Sequence, residues 1–196
     1  MLQRWLPSRE IARYAKLNDM DIIAMRVYGR KSTASAHRIG STVHNVLKIS
    51  PIPVLTLTHR CNRVPIKKLL LLTDGTAKTK RAENFAILLS SSYNLELEII
   101  YFSENRASVG EKILYNVEWK ANYWNVKIEK KIVEKEPKKI FEHLGENDIV
   151  VMGTGKKDLL SPRVGHVSLY MATHSTIPVI FVRKLKERWS KRISRR

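Results

Sequence analysis

The stretch STIPVIFV, Ser175 to Val182, has a near copy in SPIPVLTL, Ser50 to Leu57, 125 residues earlier in a chain of 196. A short apolar run after proline arises easily by chance, so the flanks decide. Gly40 stands 13 residues before Pro53, and Gly165 stands 13 before Pro178. Upstream, DIIAM (Asp21 to Met25) parallels DIVVM (Asp148 to Met152), each followed within a few residues by Gly29 or Gly155. About 38 residues repeat, with small length changes between the acidic strand start and the glycine.

Between the two copies, strand and helix signals alternate. IKKLLLLTDG is an apolar run stopped by the turn chemistry of Asp74-Gly75. Ala82, Phe85, Ala86 and Leu89 then fall on one face of a helix. LELEIIYF reads as a second strand, and Ile113, Val117, Ala121 and Trp124 mark a second helical stripe. NVKIEKKIV alternates with period two and is charged on one side, which suits an exposed edge strand. Pro137 opens a short helix and Gly145 closes it. DIVVMGT, a glycine-containing loop, a helix from about Gly165 to His174, and PVIFV complete a (βα)4β unit. Right-handed crossovers make this an α/β fold, an open, parallel, doubly wound sheet covered on both faces.

The repeat assigns the N-terminal residues too. SREIARYAKLNDM matches the third helix of the complete unit, DIIAMRV the fourth strand, GSTVHNVLKIS the fourth helix and PVLTL the fifth strand. Residues 1–58 thus read as the C-terminal half of a second domain. A linker at 59–66, the complete domain at 67–182 and a tail at 183–196 follow. The two PV strands are each too apolar to be left as an open edge, so they are expected to sit side by side at the centre of one larger sheet.

Composition narrows the function classes. One cysteine, Cys61, excludes a disulfide framework or a Cys-rich metal site. The six histidines show no HExxH and no paired ligand spacing. No apolar run approaches a membrane span of about 18 residues, and no secretory signal pattern follows Met1. A cytoplasmic protein without a membrane span is the expectation. The formal net charge of +18 is uneven. Residues 1–66 carry 11 Lys/Arg against 3 acids, residues 67–182 carry 17 against 14, and residues 183–196 carry 8 against 1. The tail RKLKERWSKRISRR has the composition of an electrostatic arm for nucleic acid. Trp119 and Trp124 are read as core in preference to base-stacking surfaces, and Gly40-Ser41-Thr42 as helix capping.

These residues resemble the universal stress protein family across nearly the whole chain. The carriers are LLLLTDG, then DIVVMGTGKKDLLSPRVGHVSLYMATHSTIPVIFV, and DIIAMRVYGRKSTASAHRIGSTVHNVLKISPIPVLTL in the half-domain. Family ATP binders carry G-x-x-G, nine residues, then G-[S/T]. Glycines let the backbone approach a polyphosphate, and a helix start offers free N–H groups. The resemblance implies a nucleotide site of Asp74, Gly75, Thr76, Gly153, Thr154, Gly155, Gly165, His166 and Val167. ATP, with Mg, is the implied ligand, and Asp74 would accept from adenine or ribose. It also implies the strand order 3-2-1-4-5, with last strands paired antiparallel about a twofold axis so that 5′-4′ of the half-domain follow. The exposed flank of strand 4′ offers unpaired backbone groups, so a homodimer or higher oligomer is expected. The chain departs from the pattern in two places. Gly153 and Gly155 are two apart instead of three, and His166 stands where the family has Ser or Thr. Lys156 and Lys157 lie within the same loop. Gly29, Gly40, Ser41 and Thr42 keep a vestigial phosphate end, with Arg26 replacing the first glycine.

No nucleophile, base and orienter constellation is visible, so a non-catalytic, nucleotide-responsive stress or regulatory protein is expected. Two other readings stand beside it. One is a basic nucleic-acid-associated protein using the fold as scaffold, and the other is a structural or regulatory subunit without ligand.

Overall fold

The computed structural model describes residues 6–28, 39–58, 65–77, 79–103, 107–134, 136–154 and 164–184. Its elements in chain order are α1 (Pro7–Leu17), β1 (Ile23–Arg26), α2 (Ser41–Ile49) and β2 (Val54–Leu57). Then come β3 (Lys68–Thr73), α3 (Thr79–Tyr93), β4 (Glu96–Ser103), α4 (Ala107–Tyr123) and β5 (Ile128–Glu134). The last are α5 (Pro137–Phe141), β6 (Asp148–Gly153), α6 (His166–His174) and β7 (Val179–Val182). The proposed linker at 59–66 and the basic tail lie largely outside the described residues.

One seven-stranded sheet runs β1-β2-β7-β6-β3-β4-β5. All neighbours are parallel except β2 and β7, which pair antiparallel with Leu55 opposite Ile180. The expected 3-2-1-4-5 order, followed by two further strands across the PV seam, is the order observed. Each strand of the β3–β4–β5 and β6–β7 series needs a crossover helix, and right-handedness fixes which face each helix covers. Phe85, Ala86, Val117 and Ala121 from α3 and α4 fill one face against Leu69, Leu71, Ile99 and Val151. On the other face Val46 and Leu47 of α2, Ile140 of α5 and Met171 of α6 pack on Leu70, Leu72, Val54 and Phe181.

The repeat is geometric as well as sequential. Ser50 Oγ donates to Ile52 O at 2.6 Å and accepts from Ile52 N at 3.2 Å. Ser175 does the same with Ile177 at 2.7 and 3.2 Å. Both hydroxyls are buried where a helix hands over to the PV strand, so each fixes the same turn. Ile23 N bonds Pro53 O, and Val150 N bonds Pro178 O, both at 3.0 Å.

Two readings need correction. Trp119 is not core: it is 67% exposed, because Leu114, Val117 and Ala121 already fill the inner face of α4. Trp124 is half-buried against that core. Ser41 and Thr42 do not cap α2. Gly40 takes the N-cap position with no side-chain cap bond, leaving both hydroxyls inside the first turn.

Beneath β3, β4 and β5, Glu98 has no exposed surface and lies 2.6 Å from Lys68 Nζ. Lys131 Nζ sits 2.8 Å from its other oxygen, as an ion pair more than a well-directed hydrogen bond. Burial alone would raise the Glu98 carboxyl. The ammonium groups of Lys131 and Lys68 outweigh it and hold the group below its usual value.

Candidate functional site

In an open α/β sheet the ligand crevice lies beyond the carboxyl ends of the strands, where the chain order reverses. Here the reversal falls between β3 and β6. The chain leaves β3 toward β4 on one side and returns through β6 on the other. Leu72 pairs with Met152, and two residues further along each strand stand Asp74 and Thr154.

The Asp74 loop is tightly built. Gly75 has φ of +72°, a conformation glycine adopts without steric cost, and its N–H donates to Thr73 Oγ1 at 3.1 Å. Asp74 Oδ1 accepts from Thr76 N at 2.9 Å and lies 3.1 Å from Thr79 Oγ1. These bonds turn an exposed carboxylate into a fixed feature of the crevice rim. Sequence reading missed the support beneath it. Thr73 Oγ1 lies 2.8 Å from Glu83 Oε1 and 3.1 Å from Thr79 Oγ1, and the buried Glu83 reaches Lys120 at 3.3 Å. The available signal was Thr79 and Glu83 four apart at the start of α3, directly after the TDG turn.

The second wall is the start of α6. Gly165 is its N-cap residue, extended at φ −64° and ψ 155°, and Gly165 N donates to Thr154 O at 2.8 Å. Leu169 N to Gly165 O is the first intrahelical bond, so the N–H groups of His166, Val167 and Ser168 precede the ladder. No side chain caps them, and no acid sits in the first turn. Ser168 Oγ ties the helix to Gly153 O at 3.0 Å. Such a terminus carries partial positive charge and suits an anion. His166 is exposed at the first helical position, and Val167 is half-buried toward the core. Gly155, Lys156 and Lys157 lie outside the described residues.

The crevice therefore brings together Asp74, Gly75 and Thr76 from one loop and Gly153, Thr154, Gly165 and His166 from the other. In the N-terminal unit, Gly40 N donates to Val27 O at 2.9 Å, the counterpart of the Gly165 closure, and α2 begins in the same way. Among the described residues, no strand lies on the outer side of β1 to carry an acidic counterpart of Asp74. Gly29 lies outside the described residues. Among them, no cluster of three or more His, Cys, Asp or Glu could hold a metal ion.

Comparison with known proteins bears on this arrangement. The model of the universal stress protein family matches residues 6–57. A universal stress protein of Methanocaldococcus jannaschii is 27% identical, over 62% of this chain and 84% of its own. The chain is thus similar to the universal stress protein family over residues 6–57 and, through this relative, over 62% of its length. A solved universal stress protein from Archaeoglobus fulgidus superposes with a TM-score of 0.69 at 21% identity, covering 92% of this chain and 66% of that one. The present chain thus spans just under two thirds of that relative. A universal stress protein solved in complex with cAMP matches with a TM-score of 0.52 at 22% identity, covering 61% of this chain and 98% of its own. At these identities the two structures speak for the universal stress fold alone.

Proposed function

We propose that this chain, as a universal stress protein, binds an adenine nucleotide, ATP with Mg, in the crevice between β3 and β6, and acts without catalysis as a stress-response or regulatory dimer. The observation that carries the reading is the pairing of two unlike walls at the switch point. One is the carboxylate of Asp74, and the other is the uncapped, acid-free start of α6. A carboxylate accepts from an amino group or a sugar hydroxyl, and helix N–H groups donate to phosphate oxygens. The two walls suit the two ends of a nucleotide. The relative in complex with cAMP, itself an adenine nucleotide, supports this choice of ligand.

His166 sets the difference from family ATP binders. In place of a small hydroxyl it brings a bulkier imidazole to the first turn, where it takes up phosphate space. The matching serine turns and glycine closures support reading residues 1–58 as half of a second family domain. No helix among the described residues is long and apolar enough to cross a membrane, which suits the cytoplasmic location proposed here.

The test is calorimetric titration of the full chain with Mg-ATP, alongside mass spectrometry of the heat extract of freshly purified protein. Asp74→Ala and Gly165→Leu should each abolish or strongly weaken binding. Leucine is compatible with the backbone angles of Gly165, so a lost signal there reflects blocked approach. Equal affinity for wild type and both variants would place the nucleotide elsewhere.

A further inference from the structure

On the face of the sheet away from α6, the parallel helices α3 and α4 separate to leave an open groove of about 330 Å³. Lys80, Asn84 and Ile87 of α3 form one side, and Trp119, Lys120 and Tyr123 of α4 form the other. Trp124 closes one end, with its ring edge-on to Tyr123 at 6.4 Å between centroids. This groove is separate from the crevice at the strand ends.

Three features mark it as more than a packing defect. Tyr115, Trp119 and Tyr123 follow one another at intervals of four residues and are 65%, 67% and 53% exposed. They form an aromatic stripe on the outer side of α4, which costs solubility and contributes little to the core. The groove's side chains are also cationic at two points. Lys120 is anchored by the buried Glu83, which fixes its ammonium at the groove wall, while Lys80 is exposed at the start of α3. Finally, the chain carries +18, so an anionic polymer is drawn to it over any neutral one.

We infer that the α3–α4 groove is a docking surface for single-stranded nucleic acid, whose bases stack on Trp119 and Tyr123 while Lys80 and Lys120 hold the adjoining phosphates. Successive rings stand about 6 Å apart along the helix, from a rise of about 1.5 Å per residue. That exceeds the roughly 3.4 Å base spacing of a duplex strand, so the stripe suits splayed bases taken one at a time. Every base offers a ring face, so such stacking is sequence-tolerant, and the lysines add a salt-dependent share. An intact duplex hides its ring faces and leaves the stripe unused.

Fluorescence anisotropy of a labelled oligo-dU or oligo-dT, titrated with full-length protein at several salt concentrations, tests this. Trp119→Ala should weaken binding about five- to hundredfold, the stacking of one base, with the salt slope unchanged. Lys80→Gln should weaken it and lower the salt slope by about 0.7, the release associated with one phosphate of a single strand. Tyr14→Ala, an exposed aromatic on α1 across the sheet, should change neither. Trp119 is exposed, so its variant should keep the melting temperature and any Mg-ATP affinity of the parent, which separates this proposal from the crevice reading. Equal oligonucleotide affinity in Trp119→Ala and wild type would assign binding to the basic chain ends and overturn the proposal. So would the absence of binding at low salt, or a Trp119→Ala variant that loses self-association instead of oligonucleotide.

Discussion

Leu55 of β2 faces Ile180 of β7 in the antiparallel seam, and each is the other's counterpart in the 125-residue repeat. A local twofold axis therefore passes between them. On either side, Val54 pairs with Phe181 and Thr56 with Val179, which are again repeat partners exchanged across the axis. The seam is sealed by two hydroxyls of β2 and its exit: Thr56 Oγ1 reaches Val179 O at 3.2 Å, and Thr58 Oγ1 reaches Ser175 O at 2.9 Å.

The axis makes a prediction about unequal partners. Ile180 is 3% exposed beneath α3, whereas Leu55 is only half-buried, because no helix among the described residues covers that face of β1 and β2. Ile180→Ala should cost about 2–5 kcal/mol, as for other buried aliphatic truncations. Leu55→Ala should cost about 1 kcal/mol, a fraction of full burial. The double variant should fall short of the sum, since the side chains are direct cross-strand neighbours. Urea unfolding of the four proteins measures this. Equal single effects would mean that the bare face is covered after all.

Glu98 predicts a pH response. Its folded carboxyl is held low by Lys131 and Lys68 against the opposing effect of burial. A depressed acid contributes stability that is present above its unfolded value of about 4.5 and is lost as pH falls through the folded value. Denaturant midpoints should therefore drop on acidification below about pH 4.5. Glu98→Gln should cost about 1–3 kcal/mol at neutral pH, and the gap to wild type should narrow as pH falls. A constant gap from pH 7 to pH 3 would show that the carboxylate's charge contributes nothing.

Gly75 predicts a coupled pair of effects. A Cβ there would meet Ile113 Cδ1 at 2.3 Å and Cγ1 at 2.6 Å, and the backbone has positive φ. Gly75→Ala should destabilise by about 1–3 kcal/mol. Adding Ile113→Ala should recover the part due to the clash and leave the part due to φ. Thermal unfolding read at both sites separates the two, and full recovery would mean that the turn itself tolerates alanine.

The His166→Ser variant tests the family departure directly. Serine restores a small hydroxyl at the first turn of α6, so Mg-ATP affinity should rise. Calorimetric titration of both proteins with Mg-ATP checks this. Unchanged affinity would remove His166 from the crevice's chemistry.

The large-scale order was legible because it rests on repetition and handedness. Two PV strands, one glycine spacing and right-handed crossovers give the seven strands and their mostly parallel sense, and the family resemblance gives the order of neighbours. The crevice followed, since Asp74 and Gly165 end elements that the topology must bring together. Trp119 was misread for a reason visible in hindsight. It stands two residues from the buried Val117, about 200° round the helix at about 100° per residue, so the periodicity already put it outside. The Thr73–Thr79–Glu83 network was only hinted at by Thr79 and Glu83 four apart, because its closure depends on how a loop folds back on the first turn of α3. Ser41 misled because glycine can hold an N-cap position without any side chain.

The last prediction concerns the open edge of β1. Sheet edges invite pairing with other chains unless charge, proline or irregularity blunts them. At the opposite edge, β5 carries Glu129, Lys130, Lys131 and Glu134 within seven residues, and is protected in this way. β1 carries Arg26 alone, with Met20 and Ile22 exposed just before it. Ile23 N and Val27 N bond across to Pro53 and Leu57, so the alternate N–H groups of Ala24 and Arg26 point outward. A second copy offers the same four-residue edge, and pairing the two edges would satisfy both. The chain should accordingly be a dimer at micromolar concentration. Ala24→Pro should make it a monomer, because it deletes an outward donor and leaves the β2 ladder untouched. Its melting temperature at dilutions where the parent is also monomeric should barely change. Light scattering of both proteins decides the matter. A wild-type monomer would sink the edge argument, and a dimer that survives Ala24→Pro would move the contact to another surface.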